Sequence, residues 1–328
     1  MYEKKADYFI SLIGANPLPC FYSALQYCDD NTIIYLVYTK KAAANIGTKI
    51  LADNVKSKIK GKIGYDNVEL IECDKSDPNE INKTINEILG KIYKNKNKKD
   101  PENIYVSNLV LDYTSGTKVM SALFYNRFSN IGNENIKVVR VYLEDDDTGT
   151  NSRFIKTSVD GYATFDFLRD TLENFDIDVE DVVEIHGYKL SEKYNSNKGK
   201  TASGSNVNSV WPDNQSNKLS FKSPNGNIVE IDATFLINGT LYVCFDSRYR
   251  GEKKSTYKME LFWLKDVAEK LGGSRSGMVY RCDCDDNTKE GLKDDLRRDY
   301  EFDIKKRLKI LDIDTSFADF LSEKMQEN

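Results

Sequence analysis

Short apolar runs and longer segments of helical composition alternate along the first half of the chain. The runs are Tyr8–Ile13, Thr32–Tyr38, Val68–Cys73, Leu109–Leu111 and Ile136–Glu144. Leu109–Leu111 is apolar without alternation, as a strand of a parallel sheet covered on both faces is. Between the runs, Pro19–Tyr27, Ala42–Lys60, Pro78–Tyr93 and Lys118–Ser129 read as helices. Asp77 and the first-turn Pro78 mark one start. Strand and helix in strict alternation predict a parallel sheet with helices on both faces. Right-handed crossovers then bring the loops at 14–17, 39–40 and 112–117 to one edge of that sheet. The run Lys94–Asp100, KNKNKKD, reads as a charged surface loop.

The pattern then changes. Asp145–Asp147 with Thr148 and Gly149 reads as a turn, Phe154–Thr157 as an edge strand, and Thr164–Glu173 as an amphipathic helix. From Ser191 to Asn227 the chain is rich in Ser, Asn, Lys and Gly, so roughly 190–220 reads as a linker or mobile loop. Beyond it, Ile228–Ile237 and Thr240–Phe245 flank Asn238–Gly239, a hairpin signal. Lys258–Leu271 is helical, stopped at Gly272–Gly273, and Met278–Cys282 is a further strand. We expect residues 1–175 to form one domain, 176–220 to be the linker and entry segment, and 221–328 to form a second domain. That is in line with 328 residues being long for a single domain.

Composition narrows the chemistry. The net charge is −5 at pH 7, so any nucleic-acid site must be local. His186 is the only histidine, which excludes catalysis by a histidine pair. The six cysteines are scattered, and Cys282-x-Cys284 lacks the second pair that a zinc site needs. No signal peptide or long apolar run is present, so a soluble cytoplasmic protein is expected.

The stretch Leu109–Leu123, LVLDYTSGTKVMSAL, places a polar turn between a buried strand and a helix. Asp112, Thr114, Ser115, Gly116 and Thr117 supply caps and hydroxyls, and Lys118 adds a positive charge at a helix N-terminus. Such a turn is either an ordinary capped connection or a cradle for phosphate. DYTSGTKVMS resembles the D-x-T-G-G-T-K-x-M-S signature of CARF domains, Rossmann-like sensors of cyclic oligoadenylate in type III CRISPR defence, with Ser115 in place of the first Gly. The family's other ligand loop follows the first strand, here Gly14, Ala15, Asn16 and Pro17. The resemblance covers about the first half of the chain. It implies a messenger site formed by Gly14–Pro17, Thr39, Asp112, Thr114–Thr117 and Lys118, and a homodimer around a symmetric anionic ligand.

In the second half, strands on either side of the Asn238–Gly239 turn bring Asp232 and Asp246 into one small sheet, with Arg248 two residues beyond Asp246. Two carboxylates and a cation on one face suit metal-assisted phosphodiester hydrolysis; equally, they suit a hairpin with polar ends and a surface ion pair. The segments NIVEIDATFLINGTLYVCFDSR and YKMELFWLKDVAEKLGGSRSGMVYRC, with Phe302–Leu321, resemble the nuclease half of effectors that join a CARF domain to a PD-(D/E)xK nuclease. The resemblance implies a C-terminal α/β restriction-endonuclease-like domain, Asp232 and Asp246 as ligands of Mg2+ or Mn2+, and activation by cyclic tetra-adenylate to cleave DNA or RNA. Asp246-Ser247-Arg248 stands where the family has Glu-x-Lys, and Arg replaces Lys poorly as a proton relay. Glu192 and Glu230 are candidates for an upstream acid, and Lys253, Lys254 and Lys258 for a displaced cation. A register with Phe245 at the Glu position would leave the core inactive. Two other outcomes stay open: a sensor with a decayed nuclease core that works by binding, and a ring nuclease that cleaves the messenger in the first domain.

Overall fold

A computed structural model describes residues 5–41, 47–64, 66–102, 105–131, 135–144, 152–158, 160–191, 194–200, 206–212, 218–300 and 307–326. The chain divides into two compact units, one made of Met1–Asp145 and Ser152–Phe175, the other including Asp176–Asn328. Among the described residues, no helix is long and apolar enough to cross a membrane.

In the first unit, β1 (Tyr8–Ile13), β2 (Ile33–Thr39), β3 (Val68–Cys73), β4 (Ser107–Asp112) and β5 (Ile136–Glu144) are joined by α1 (Leu18–Tyr27), α2 (Lys49–Ile63), α3 (Pro78–Lys99) and α4 (Lys118–Ser129). β6 (Arg153–Ser158), β7 (Ala163–Phe167) and α5 (Leu168–Phe175) follow. The sheet order is β3-β2-β1-β4-β5-β6-β7. The first five strands are parallel, and β6 and β7 are antiparallel additions. α1 packs with α2 and α5, and α3 packs with α4. This is a Rossmann-like α/β fold. One core layer joins Tyr8, Ile10 and Leu12 of β1 to Ile85 and Ile88 of α3 and Phe124 and Phe128 of α4.

Two readings of this unit are corrected. Lys94–Asp100 is not a loop, because α3 runs to Lys99. Lys96 is buried, and its ammonium donates to Asp100 Oδ2 at 3.1 Å and to the Tyr105 carbonyl at 2.8 Å. Segment 164–167 belongs to strand β7 rather than a helix, since its backbone pairs with β6 from Phe167 to Ala163. The turn expected at Asp145–Asp147 lies outside the described residues.

In the second unit, α6 (Val179–Ile185) precedes β8 (Lys189–Leu190), β9 (Tyr194–Lys200), β10 (Asn206–Pro212), β11 (Leu219–Lys222), β12 (Ile228–Ile231), β13 (Ala233–Ile237) and β14 (Thr240–Arg250). Then come α7 (Lys254–Gly272), β15 (Gly277–Asp283), α8 (Asp286–Tyr300), β16 (Leu308–Asp312) and α9 (Phe317–Gln326). The six-stranded sheet runs β16-β15-β14-β13-β10-β9, and β12-β11-β8 form a small second sheet. β14, β15 and β16 are parallel, with α7 as the crossover between the first two. Asn238 and Gly239, with φ of 51° and 76°, make the tight turn between β13 and β14. The stretch 190–220 is not a linker where it is described. β9 and β10 pair along seven residues, and Val207 and Val210 are buried against the sheet. A polar strand is held here by its partners rather than by its own apolar pattern.

His186 ends α6. Its Nδ1 contacts the Val182 carbonyl at 2.9 Å, and its Nε2 is buried without a partner. Desolvation pushes its pKa down to about 4 from an ordinary 6.5. As pH falls, the unfolded chain takes up this proton first. The stability contributed by the neutral ring is therefore complete above pH 6.5 and is lost as pH falls toward 4. Between pH 7 and pH 5 the second unit should lose about 2 kcal/mol that a His186→Gln variant keeps, measured by urea unfolding at both pH values.

Candidate functional site

The parallel strands β1 and β4 are neighbours, but the chain leaves β1 toward β2 on one side and leaves β4 toward β5 on the other. Their carboxyl ends therefore flank a topological switch point, where α/β sheets open a crevice. The two predicted loops meet there. A Cβ placed on Gly14 would lie 1.7 Å from the Ser115 carbonyl oxygen. One placed on Gly116 would lie 2.6 Å from Leu12 Cδ1 of β1. Both glycines serve the close contact of loop on loop and loop on strand.

Asp112 ends β4 and is fully buried. Its carboxylate accepts hydrogen bonds from Ser11 Oγ of β1 at 2.8 Å, from the Thr114 amide at 3.0 Å and from the Thr114 hydroxyl at 2.6 Å. Burial raises its pKa above the ordinary value, and these donors act against that shift. Thr114 Oγ1 in turn accepts from the Leu143 amide of β5 at 2.9 Å. Thr39 is buried at the end of β2, and its amide donates to Thr48 Oγ1 at 2.9 Å. The polar groups of Asp112, Thr114 and Thr39 are turned inward and hold the loops.

The groups left at the edge are different ones. Thr117 caps α4 by accepting from the Met120 amide at 3.2 Å and donates to the Lys75 carbonyl at 2.6 Å. Asn16 Oδ1 accepts from the Leu18 amide at the start of α1, Pro17 is buried beneath it, and Ala15 is exposed. Ser115 is half-buried. Lys118, the first residue of α4, is exposed and has no partner among the described residues. The edge therefore brings the N-termini of α1 and α4 together with the Lys118 ammonium, an arrangement that attracts an anion. Sequence reasoning missed Thr48, which bonds to Thr39 and donates to the Ile13 carbonyl at 3.0 Å. The Gly47–Thr48 pair ahead of α2 was its only signal. It also missed the ion pair of Lys40 with Asp74 at 3.2 Å, on a loop where the Asp77 and Ser76 amides hold Asp74 down to about 2.

In the second unit, Asp232 lies between β12 and β13 and Asp246 lies in β14. Asp232 Oδ2 accepts from the Asp246 amide at 2.7 Å, and its Oδ1 is ion-paired with Lys218. The Lys218 ammonium stands 5.0 Å from the centre of the Phe245 ring. Asp246 takes a two-point contact from Arg281 of β15, Nε to Oδ1 at 3.2 Å and Nη2 to Oδ2 at 2.8 Å. The Arg281 guanidinium also covers the Phe317 ring at 5.0 Å. Strand alternation puts Asp246 with Cys244 on one face and Phe245 with Ser247 on the other. Each carboxylate has its own cation, from elements that only the sheet brings close. The Arg248 side chain and Glu192 lie outside the described residues. Lys254 and Lys258 pair instead with Asp295 of α8, at 3.0 and 3.6 Å.

Among the described residues, no three His, Cys, Asp or Glu side chains are placed to hold a metal ion. With Lys218 and Arg281 neutralising Asp232 and Asp246, the residues as arranged do not fit Mg2+ or Mn2+. Beside them, on the α7 face, Glu260 Oε2 accepts from Ser247 Oγ and Tyr280 OH, both at 2.7 Å. A groove of about 630 Å3 opens there, lined by Ile228, Glu230, Phe245, Tyr249, Met259 and Trp263 among others.

No family model and no curated protein matches the chain. Solved structures do. That of Can2 from Sulfobacillus thermosulfidooxidans in complex with cyclic tetra-adenylate matches with a TM-score of 0.62 at 11% identity, over 98% of this chain and 97% of that one. Protein VC1899 from Vibrio cholerae matches with a TM-score of 0.64 at 8% identity, over 98% of this chain and 99% of that one. The chain has the fold of these two proteins. Can2 and VC1899 thus share both α/β units with it in one order along the chain, while identity this low leaves the chemistry to be argued from the residues.

Gly14→Ala should destabilise the first unit by about 1–3 kcal/mol, because its methyl group displaces the Ser115 carbonyl. Ala15→Gly, at an exposed position one residue on, should cost under about 1 kcal/mol. Denaturant unfolding followed in the first unit distinguishes them.

Proposed function

We propose that this chain is a receptor for a cyclic oligoadenylate, with the tetra-adenylate ring as the leading ligand, acting as a cytoplasmic homodimer in type III CRISPR defence. The observation that carries the reading is the switch-point edge, where Lys118 stands unpaired at the N-terminus of α4 beside the α1 N-terminus. The DYTSGTKVMS signature and the fold shared with Can2, whose structure holds cyclic tetra-adenylate, support the same ligand class. The anion is held by backbone N–H groups and Lys118, with Ser115 at the same edge and Thr117 capping the helix that Lys118 opens. A ring of repeated nucleotides suits two copies of the loop related by a twofold axis.

Binding to the folded state raises stability by RT ln(1 + [L]/Kd), about 2.7 kcal/mol at a hundredfold excess over Kd. The thermal midpoint should therefore rise with cyclic tetra-adenylate and not with linear tetra-adenylate. Lys118→Ala should weaken binding by about 1.5–3 kcal/mol in titration calorimetry, the worth of a charge-assisted hydrogen bond, with the unliganded midpoint unchanged. No shift with any ring size refutes the receptor reading.

For the second unit, the ion pairs Lys218–Asp232 and Arg281–Asp246 favour a nuclease-like fold that works by contact with nucleic acid or a protein. The second reading is a metal-dependent nuclease cleaving DNA or RNA with Mg2+ or Mn2+. It is supported by the spacing of Asp232 and Asp246 on joined strands. Plasmid DNA and single-stranded RNA incubated with the protein, Mn2+ and cyclic tetra-adenylate separate the two. The first reading expects no cleavage. Cleavage that is abolished by Asp232→Ala establishes the second.

A further inference from the structure

Cys282 and Cys284 are left unused by either role. Cys282 is a buried residue of β15, directly after Arg281, and Cys284 is half-buried just past the strand end. Their sulfur atoms are 2.9 Å apart. That is well inside the ordinary separation of unbonded sulfurs, and about 0.9 Å beyond a disulfide bond of about 2.05 Å. The tripeptide is held in place from several sides. Cys282 pairs with Asp312 of β16, Asp283 pairs with Arg250 of β14, and Tyr257 OH donates to the Asp283 carbonyl at 2.7 Å. Tyr257 OH also accepts from the Glu252 amide at 3.1 Å, so the same oxygen joins this tripeptide to the segment leading into α7. The other four cysteines, Cys20, Cys28, Cys73 and Cys244, are buried.

We propose that Cys282 and Cys284 form a reversible dithiol–disulfide pair, oxidised by a hydroperoxide and reopened by a small thiol. The step balances with hydrogen peroxide as the oxidant. The thiolate of Cys284, the more exposed of the two, attacks one peroxide oxygen and expels hydroxide, giving a sulfenic acid. Cys282 sulfur then attacks Cys284 sulfur, the S–O bond breaks, and the second hydroxide leaves. The two thiols give up two electrons and two protons, and the peroxide becomes two waters. Reduction by dithiothreitol returns both hydrogens. Closing the ring draws the two sulfurs together at the end of β15, one residue from Arg281, which holds Asp246. The pair thereby links oxidation to the part of the second unit where the carboxylates sit. Burial raises both thiols above their ordinary pKa, more than the nearby Lys289 charge lowers them. Oxidation is accordingly slow at neutral pH and quickens as pH rises, in proportion to the thiolate fraction.

The test is peptide mass spectrometry and thiol counting on the full chain after hydrogen peroxide. The expected result is a peptide containing both cysteines that is lighter by two hydrogens, restored by dithiothreitol, with the remaining thiols still titratable after unfolding. Its rate of formation should rise about tenfold from pH 7 to pH 8. Cys282→Ser should leave Cys284 as a sulfenic acid trappable by dimedone, and Cys284→Ser should give no oxidised product at the same dose. Oxidation of either cysteine to a sulfinic acid in the wild type, disulfides between chains, or a pair that stays reduced under prolonged peroxide at about pH 9, where the thiolate fraction is raised, would each overturn the proposal.

Discussion

A single buried carboxylate sets the geometry of the first unit. Asp112 closes β4 with no exposure to water, so its charge is tolerable only if donors surround it. Ser11 and Thr114 supply three such donors, and Thr114 carries the restraint on to β5 through the Leu143 amide. β1, β4 and β5 are in this way locked at their carboxyl ends by one chain of polar contacts. Gly14 and Gly116 then allow the two loops to close over it. The exposed groups at the edge, Lys118 above all, are placed by that inner layer. The polar residues of the turn thus divide by role: those that point inward build the crevice, and those that point outward meet its contents.

The second unit handles its carboxylates in the opposite way. Asp232 and Asp246 are partly exposed, and each is satisfied by a cation rather than by a cage of neutral donors. A two-point guanidinium contact such as Arg281 with Asp246 is directional as well as attractive. It fixes the carboxylate against β15. In a partly exposed setting the net stabilisation from such pairs is modest, so their main consequence is geometric. They fix where each carboxylate group stands, with Asp232 also accepting from the Asp246 amide.

Much of the fold was legible in the amino-acid sequence because it depends on local pattern. Alternation of short apolar-rich runs with helical segments determined the parallel sheet of the first unit, and with it the edge at which loops 14–17 and 112–117 meet. Asn238–Gly239 determined the hairpin of the second unit, since few residue pairs adopt two positive φ angles in succession. Lys118 and the cap Thr117 were also visible, as residue types that mark a helix start. Tertiary structure decided the rest, wherever a residue's environment comes from a distant segment. Lys96 became a buried end of α3 because Asp100 and the Tyr105 carbonyl receive its charge. β9 and β10 formed from a polar stretch because hydrogen-bonded neighbours replace hydrophobic patterning, and β7 formed because β6 offers a paired edge. The direction in which Asp112, Thr39 and Thr114 turn, and the partners Lys218 and Arg281 that Asp232 and Asp246 acquire, depend on strand order and register. A one-dimensional spacing states how far apart two carboxylates lie along the chain. Only the parallel pairing of β14 with β15 puts Arg281 beside Asp246, because contacts between strands are set by register across the sheet and not by separation in sequence.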